Sequence, residues 1–265
     1  MTAWCILKLV ALVPAVLAFA TLLAARPASA DVFTVTITEW CPYMCTGQTK
    51  RGFTTDIVDA AFRSQGHEVA FKALPWLRAL DHTRRGETDA SLAPAKAEAP
   101  DFIYPTVPVS HQQMCFFTRP DQEWHYESPL SLPAIRFGFL ANLSLPGIMD
   151  YVGAKRGTDR VQPIADKQFM KKNFKKIDSG RIDALIDDRN VVSYYMVRED
   201  IEPDAYRVAG CLQNEPIYLG MSPTRPDKAM RMTSIYVRGL LAIKQSGELD
   251  RILASYGATA AAPNM

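Results

Sequence analysis

Cysteines, histidines, carboxylates and indoles are the side chains of this sequence with chemistry to offer, and their spacing narrows what that chemistry is. His67, His82, His111 and His125 are scattered; no histidine lies within a few residues of Cys41 or Cys45, and Cys115 has only His111 nearby. Zinc sites are spaced differently, and no metal or cofactor is expected. Gly-x-Ser-x-Gly and phosphate-loop patterns are absent, so neither a serine nucleophile nor a nucleotide cradle is signalled. Glu39, beside Trp40, could act as an acid or base, but a carboxylate at a strand end serves more often as a hydrogen-bond acceptor. No catalytic residue is assigned. Lys167, Lys171, Lys172, Lys175 and Lys176 make a dense positive run with Phe169, Met170, Phe174 and Ile177 interleaved. That pattern predicts an amphipathic helix with a solvated basic face, the other use of such a face being docking to a membrane partner or an acidic lipid surface.

These groups belong to a chain expected to leave its compartment of synthesis. Leu9 to Ala25 carries no charge, Lys8 precedes it, and Pro27, Ala28, Ser29 and Ala30 follow in an A-x-A arrangement, which predicts a secretory signal over residues 1–30 cut after Ala30 and a periplasmic mature protein. The signal contains Lys8 and Arg26 and no acid, so its removal leaves 28 cations against 28 anions in a chain with 30 Lys and Arg. A neutral mature protein is a poor match for nucleic acid, and that class is set aside. The four remaining cysteines, Cys41, Cys45, Cys115 and Cys211, would meet an oxidising environment. Three pairings are possible. Cys41 with Cys45 and Cys115 with Cys211 is favoured, because a spacing of four can close inside a turn that already holds Pro42.

The elements that would position these residues alternate. The pattern predicts a strand over Val32–Ile37, a helix over Phe53–Phe62 stopped by Gly66, a strand over His67–Leu74, a helix over Trp76–Arg85 and a short strand over Asp89–Leu92. A second series follows: strands at Arg136–Leu140, Val161–Ile164 and Ala184–Ile186, and helices at Leu145–Lys155, Lys167–Ser179 and Asn190–Arg198. Alternation of this kind implies parallel α/β sheets. Cys115–Thr118 and Ile217–Met221 are the expected crossings between the two series, and helices at Asp227–Ser246 and Glu248–Tyr256 are expected to return to the first. Trp40 falls just after a strand and Trp76 just before a helix.

In this order the chain resembles the bacterial extracellular solute-binding proteins of family 3, the periplasmic polar amino acid binding proteins of ABC transporters. The landmarks are Trp40-Cys41-Pro42-Tyr43, Gly52-Phe53-Thr54-Thr55-Asp56, Gly86-Glu87-Thr88-Asp89-Ala90, Phe102-Ile103-Tyr104-Pro105, and Gly180-Arg181-Ile182-Asp183-Ala184 continuing to Asp188. The resemblance implies a bilobed α/β periplasmic-binding-protein fold: lobe 1 from 31–116 and 220–258, lobe 2 from 117–219, two hinge strands, and a flexible tail at 259–265. It implies a monomer that captures a small-molecule solute by hinge closure and hands it to an inner-membrane transporter permease. Its ligand-binding positions fall on Trp40, Tyr43, Trp76, Lys96, Ser144 and Asp188, with Asp188 receiving an amino group and Ser144 helping a helix N-terminus hold an anion. Ser91 to Lys96 stands where the family has a longer Ser and Thr run and a clamping Arg. Lys96 cannot form a guanidinium fork, and Arg78, two residues after Trp76, is the candidate for the missing cation. A sensor or accessory protein of the same fold that binds a protein partner is the competing expectation, with a periplasmic lyase working through Glu39 behind it.

Overall fold

The computed structural model describes residues 30–141, 143–258 and 263. The expected signal and most of the tail lie outside them. The chain divides after Asp31, and the compact unit Val32–Met265 contains two five-stranded sheets. Among the described residues no helix is long and apolar enough to cross a membrane.

The first sheet is built from β1 (Val32–Ile37), β2 (Glu68–Ala73), β3 (Ala90–Ala95), β4 (Ser110–Gln112) and β10 (Glu215–Met221), in the order β2-β1-β3-β10-β4. The second uses β5 (Met114–Thr118), β6 (Phe137–Leu140), β7 (Val161–Ile164), β8 (Ala184–Asp188) and β9 (Arg207–Cys211), in the order β7-β6-β8-β5-β9. Three neighbouring strands of each sheet run parallel, the fourth is antiparallel to them, and the fifth is antiparallel to the fourth. The two orders are the same pattern. In each sheet the outermost antiparallel strand leads into the fourth strand of the other, β4 into β5 through Gln113 and β9 into β10 through residues 212–214.

The crossings therefore lie a little outside the expected ones. Cys115 and Phe116, assigned from sequence to the first lobe, belong to β5 of the second sheet, and Ile217 to Leu219, assigned to the second lobe, pair with β3 and β4 of the first. Hydrogen-bonded partners decide sheet membership, and neither crossing strand carries its partner's identity in its own residues.

Helices α1 (Phe53–Arg63), α6 (Pro226–Gln245) and α7 (Glu248–Ser255) pack on one face of the first sheet. Apolar Ile57, Val58, Ala61 and Phe62 on α1 meet Ile235, Tyr236 and Leu240 on α6 in one core with Phe33 and Val35. The approach is close: a Cβ on Gly239 of α6 would lie 2.0 Å from the Ala61 carbonyl oxygen. Helix α2 (Trp76–Arg84) covers the other face with a small core of Leu80, Ala99 and Phe102. The second sheet carries α3 (Met149–Ala154) over one core and α4 (Phe169–Asp178) and α5 (Arg189–Arg198) over another.

Three differences from the sequence reading have physical causes. The helix expected over Leu145–Lys155 begins only at Met149, because Pro146 lacks an N–H and Gly147 turns the chain with φ 82. Strand β3 runs on to Ala95 through Ala93, at φ 67, and Pro94, held by antiparallel pairing with β10. Strands β4 and β9 were not expected, since each exists through a partner far along the chain.

Candidate functional site

In a parallel sheet the strand ends that lead into helices lie at one edge, and ligands of open α/β folds bind beyond that carboxyl edge. In the first sheet Trp40 follows β1, Trp76 follows β2 and Lys96 follows β3, so this edge gathers all three. In the second, Ser144 follows β6 and Asp188 ends β8.

The segment after β1 is a tight turn. Trp40 and Met44 exchange backbone hydrogen bonds of 2.8 and 2.9 Å, and a disulfide joins Cys41 to Cys45 across it. Glu39 fastens its far side by accepting from the Thr46 N–H at 2.7 Å and from the Thr46 hydroxyl. The turn in turn caps α1: the Phe53 N–H donates to Pro42 O at 2.9 Å and the Thr54 N–H to Tyr43 O at 3.1 Å, satisfying donors that a helix start leaves open. Gly52 makes this approach possible. Its φ is 94, and a Cβ there would sit 2.3 Å from the Tyr43 carbonyl oxygen. The half-buried Trp40 ring lies flat on Tyr43, centroids 4.0 Å apart at 10°.

Tyr43 is fully buried, and its hydroxyl spans the two lobes. It donates toward His111 O at 3.0 Å and Asp188 Oδ2 at 3.1 Å, and accepts from Asn190 Nδ2 at 2.9 Å. A second link joins the same regions, from the Tyr194 hydroxyl on α5 to Gln48 Oε1 at 3.2 Å. Asp188 is the hub of the crossing. Its Oδ1 accepts from the Asn190 and Val191 N–H groups at 2.9 and 3.3 Å, capping α5, while Oδ2 also accepts from the Gln113 N–H at 2.8 Å. Gln113 is gripped a second time, its carbonyl accepting from the Arg189 N–H at 3.0 Å.

Burial outweighs these four donors and pushes the Asp188 carboxyl up to about 6. Its neighbour Asp187, fully buried with Oδ2 unpartnered, is pushed by burial up to about 8. Burial, then the charge of Asp188, also raises Tyr43 well above the usual phenol range.

The other expected positions are spread along the same edges. Trp76, half-buried, donates its indole N–H to Glu98 Oε1 at 3.2 Å, and Glu98 Oε2 takes the Ala95 N–H at 3.0 Å. Burial raises the Glu98 carboxyl above its ordinary value. Lys96 is exposed, with its ammonium 4.7 Å from the Tyr218 ring centroid and 5.9 Å from that of Tyr104. Arg78 points to no partner among the described residues and lies on the exposed part of α2. Ser144 is half-buried and precedes a turn, not a helix: the residue flanking α3 is Ile148. The expectation that Ser144 starts an anion-holding helix is corrected accordingly.

Sequence reasoning missed Glu98, Tyr104, Tyr218 and Asn190. Tyr104 lies within a quoted motif, but Tyr218 reaches Lys96 from β10, which only the sheet order brings beside β3. The favoured disulfide pairing is the one present, Cys41–Cys45 and Cys115–Cys211. The second links adjacent strands β5 and β9 at the base of the crossing, with Cys115 and Cys211 opposite one another. Among the described residues no group of His, Cys, Asp and Glu could hold a metal ion.

No protein-family model and no curated protein sequence matches the chain. Solved structures share its fold. An ancestral arginine-binding protein bound to arginine aligns with a TM-score of 0.65 and 16% identity, over 85% of this chain and 97% of that one. The sensor domain of a histidine kinase, with similarity to periplasmic binding proteins, aligns at 0.64 and 14%, over 86% of this chain and 96% of the other. An ancestral amino acid-binding protein, AncCDT-1, a precursor of cyclohexadienyl dehydratase, aligns at 0.61 and 17%, over 85% and 94%. At these identities the likeness establishes architecture: the chain has the two-lobed α/β fold of periplasmic amino-acid-binding proteins.

Proposed function

We propose that this protein is a secreted solute-binding protein that captures a small polar or amphipathic molecule between its lobes by hinge closure and presents it to a membrane transporter. One observation carries the reading. The Tyr43 hydroxyl, from the turn after β1, reaches Asp188 at the end of β8, so the carboxyl edges of both sheets adjoin at the crossing. Residues that leave those edges, Trp40, Trp76 and Lys96 on one side and Ser144 on the other, then line the approach to that junction.

Lys96 and the indoles set the ligand chemistry. An ammonium held against tyrosine faces is a point charge that suits an anionic or strongly dipolar group without demanding a bidentate carboxylate, and Trp40 and Trp76 offer apolar faces to the remainder. In this reading Asp188 serves the hinge: every lone pair used by its four donors is committed to the crossing and to α5, which leaves it little capacity for a ligand amine.

The test is intrinsic tryptophan fluorescence and thermal denaturation during a screen of amino acids, amines and organic acids. A ligand at about 100 times its Kd stabilises by about 2.7 kcal/mol. A saturable response lost in Trp76→Phe and weakened at least tenfold in Lys96→Gln is the expected result, and silence from all three classes would sink the proposal. The likeness to a histidine kinase sensor domain favours one second reading, a sensor whose lobes bind a protein partner. A stable protein complex that forms without any solute and survives Lys96→Gln would select it.

A further inference from the structure

Away from the carboxyl edges, the flank formed by edge strand β7 and helix α4 carries a depression of about 510 Å³ lined by Ile164, Lys172, Lys175, Lys176, Ser179 and Arg181. Helix α4 explains the arrangement: Met170, Asn173, Phe174 and Ile177 face the sheet, which turns the lysines outward along one side. Between residues 159 and 181 there are seven Lys and Arg against three Asp. Of those three acids only Asp166 pairs with a lining cation, which leaves the other three lining cations without one among the described residues. Asp166 is taken by Lys172 at 2.7 Å, Asp178 accepts from the Tyr206 hydroxyl at 2.6 Å, and Asp159 makes no ion pair with the lining cations among the described residues.

Lys175 and Arg181 consequently have no carboxylate partner among the described residues. Lys176 is tethered by donating to Gln162 Oε1 at 3.0 Å, a neutral acceptor that leaves its charge in place. Partial burial, and behind it the charge of Arg181, hold the Lys176 ammonium below its ordinary range. Like charges gathered around one concavity repel, and an anion placed among them relieves that repulsion. Ile164 is the apolar member of the lining, and the Ser179 hydroxyl already donates to the Lys176 carbonyl at 3.2 Å.

We propose that this depression is an anion site, distinct from the interlobe cleft, that takes a phosphate-bearing ligand. A guanidinium and two ammonium groups match a tetrahedral group with several acceptor oxygens and delocalised negative charge. The volume exceeds what a bare phosphate fills and falls within the range of small-ligand sites, so the phosphate belongs to something larger, either a soluble phosphorylated molecule or the headgroup of a membrane lipid.

Two arms separate the sources at fixed ionic strength. Isothermal titration with inorganic phosphate reads the soluble case, and co-sedimentation with phosphatidylglycerol vesicles, against phosphatidylcholine vesicles, reads the lipid case. Binding in either arm that weakens at least tenfold in Lys175→Gln/Arg181→Gln, with an unchanged melting temperature, supports the site. Phosphate binding assigns the soluble source, and vesicle binding alone assigns the headgroup. No response in either arm, or a response that the double variant leaves intact, overturns the proposal. The singles Lys175→Gln and Arg181→Gln, each expected to weaken binding about threefold, keep the test decisive if the double variant folds poorly. Failure here leaves the interlobe reading untouched, since the cleft residues are not altered.

Discussion

The two lobes carry one short motif twice and use it in different ways. In Gly86-Glu87-Thr88-Asp89-Ala90 and in Gly180-Arg181-Ile182-Asp183-Ala184, a glycine with φ 75 or 68 ends a helix and an aspartate enters the third parallel strand. Asp89 N–H donates to Thr34 O at 2.8 Å while its Oδ2 accepts from Thr34 N–H at 2.9 Å. Asp183 does the same with Arg136, at 2.8 Å in both directions. The backbone clamp is thus identical and the neutralising charge is not. Asp183 pairs with the Arg136 side chain of the same clamp at 2.9 Å, whereas Asp89 pairs with Arg225, which flanks the start of α6, and with Lys228 in its first turn, at 3.1 and 2.7 Å. Lobe 2 is closed by neighbours within its own stretch of chain. Lobe 1 is closed only when the chain has left, built the other lobe and come back.

Breaking the two disulfides gives the largest contrast between the halves. Cys115–Cys211 spans a separation of 96 residues and encloses nearly all of lobe 2, and Cys41–Cys45 spans a separation of 4. Loop-closure entropy assigns about 4–5 kcal/mol to the first and about 2 kcal/mol to the second. Urea melts of Cys115→Ser/Cys211→Ser and Cys41→Ser/Cys45→Ser are expected to keep that order, and equal losses would mean that lobe 2 gains nothing special from its tie.

A smaller contrast comes from the paired aspartates. Asp89→Asn leaves two cations at the start of α6 without a carboxylate beside a side chain only 6% exposed, and is expected to cost about 2 kcal/mol. Asp183→Asn, at a position 23% exposed, is expected to cost about 1 kcal/mol. The hydrogen bonds and charge of Arg136 outweigh burial and hold the Asp183 carboxyl below its ordinary range. A depressed carboxyl contributes stability above its unfolded pKa, about 3.9, and loses it as pH falls through the folded value. The gap between the wild-type protein and Asp183→Asn is therefore expected to hold constant above about pH 5 and close in stronger acid. A gap that persists at pH 2 would contradict the clamp's electrostatic part.

A third contrast has the opposite sign. Asp187, pushed up to about 8, retains its proton in the folded protein where the unfolded chain has released it, so folding is progressively disfavoured as pH rises from about 4 to 8. Asp187→Asn removes that penalty and keeps an acceptor for the Asp188 N–H. Thermal melts are expected to give near equality at pH 4 and a gain that grows steadily with pH up to about 8, with no further gain above. An unchanged difference across that range would show that Asp187 stays charged.

Most of the parallel architecture was legible because each unit is local. Val32–Ile37, Val161–Ile164 and the start of Ala184–Asp188 show their apolar character within a few residues, and Gly66, Gly86 and Gly180 mark helix ends by chemistry alone. What escaped depends on contacts between distant segments. Strand β4 has three residues and means nothing without β10, and Tyr218 becomes a neighbour of Lys96 only through the β3–β10 ladder. At the candidate site, Trp40, Tyr43, Trp76 and Lys96 reached one sheet edge as the strand ends required. Asp188, expected to receive an amino group, caps α5 and holds Tyr43 and Gln113, partners that no local pattern announces.

The bond between Cys115 and Cys211 has a mechanical corollary. Tension applied at the two ends of the polypeptide enters and leaves through the first lobe, and at the crossing it takes the covalent shortcut between those cysteines. Residues 116–210 then hang slack. A molecule stretched in an optical trap would pay out only the length outside that loop until a reductant freed the remainder.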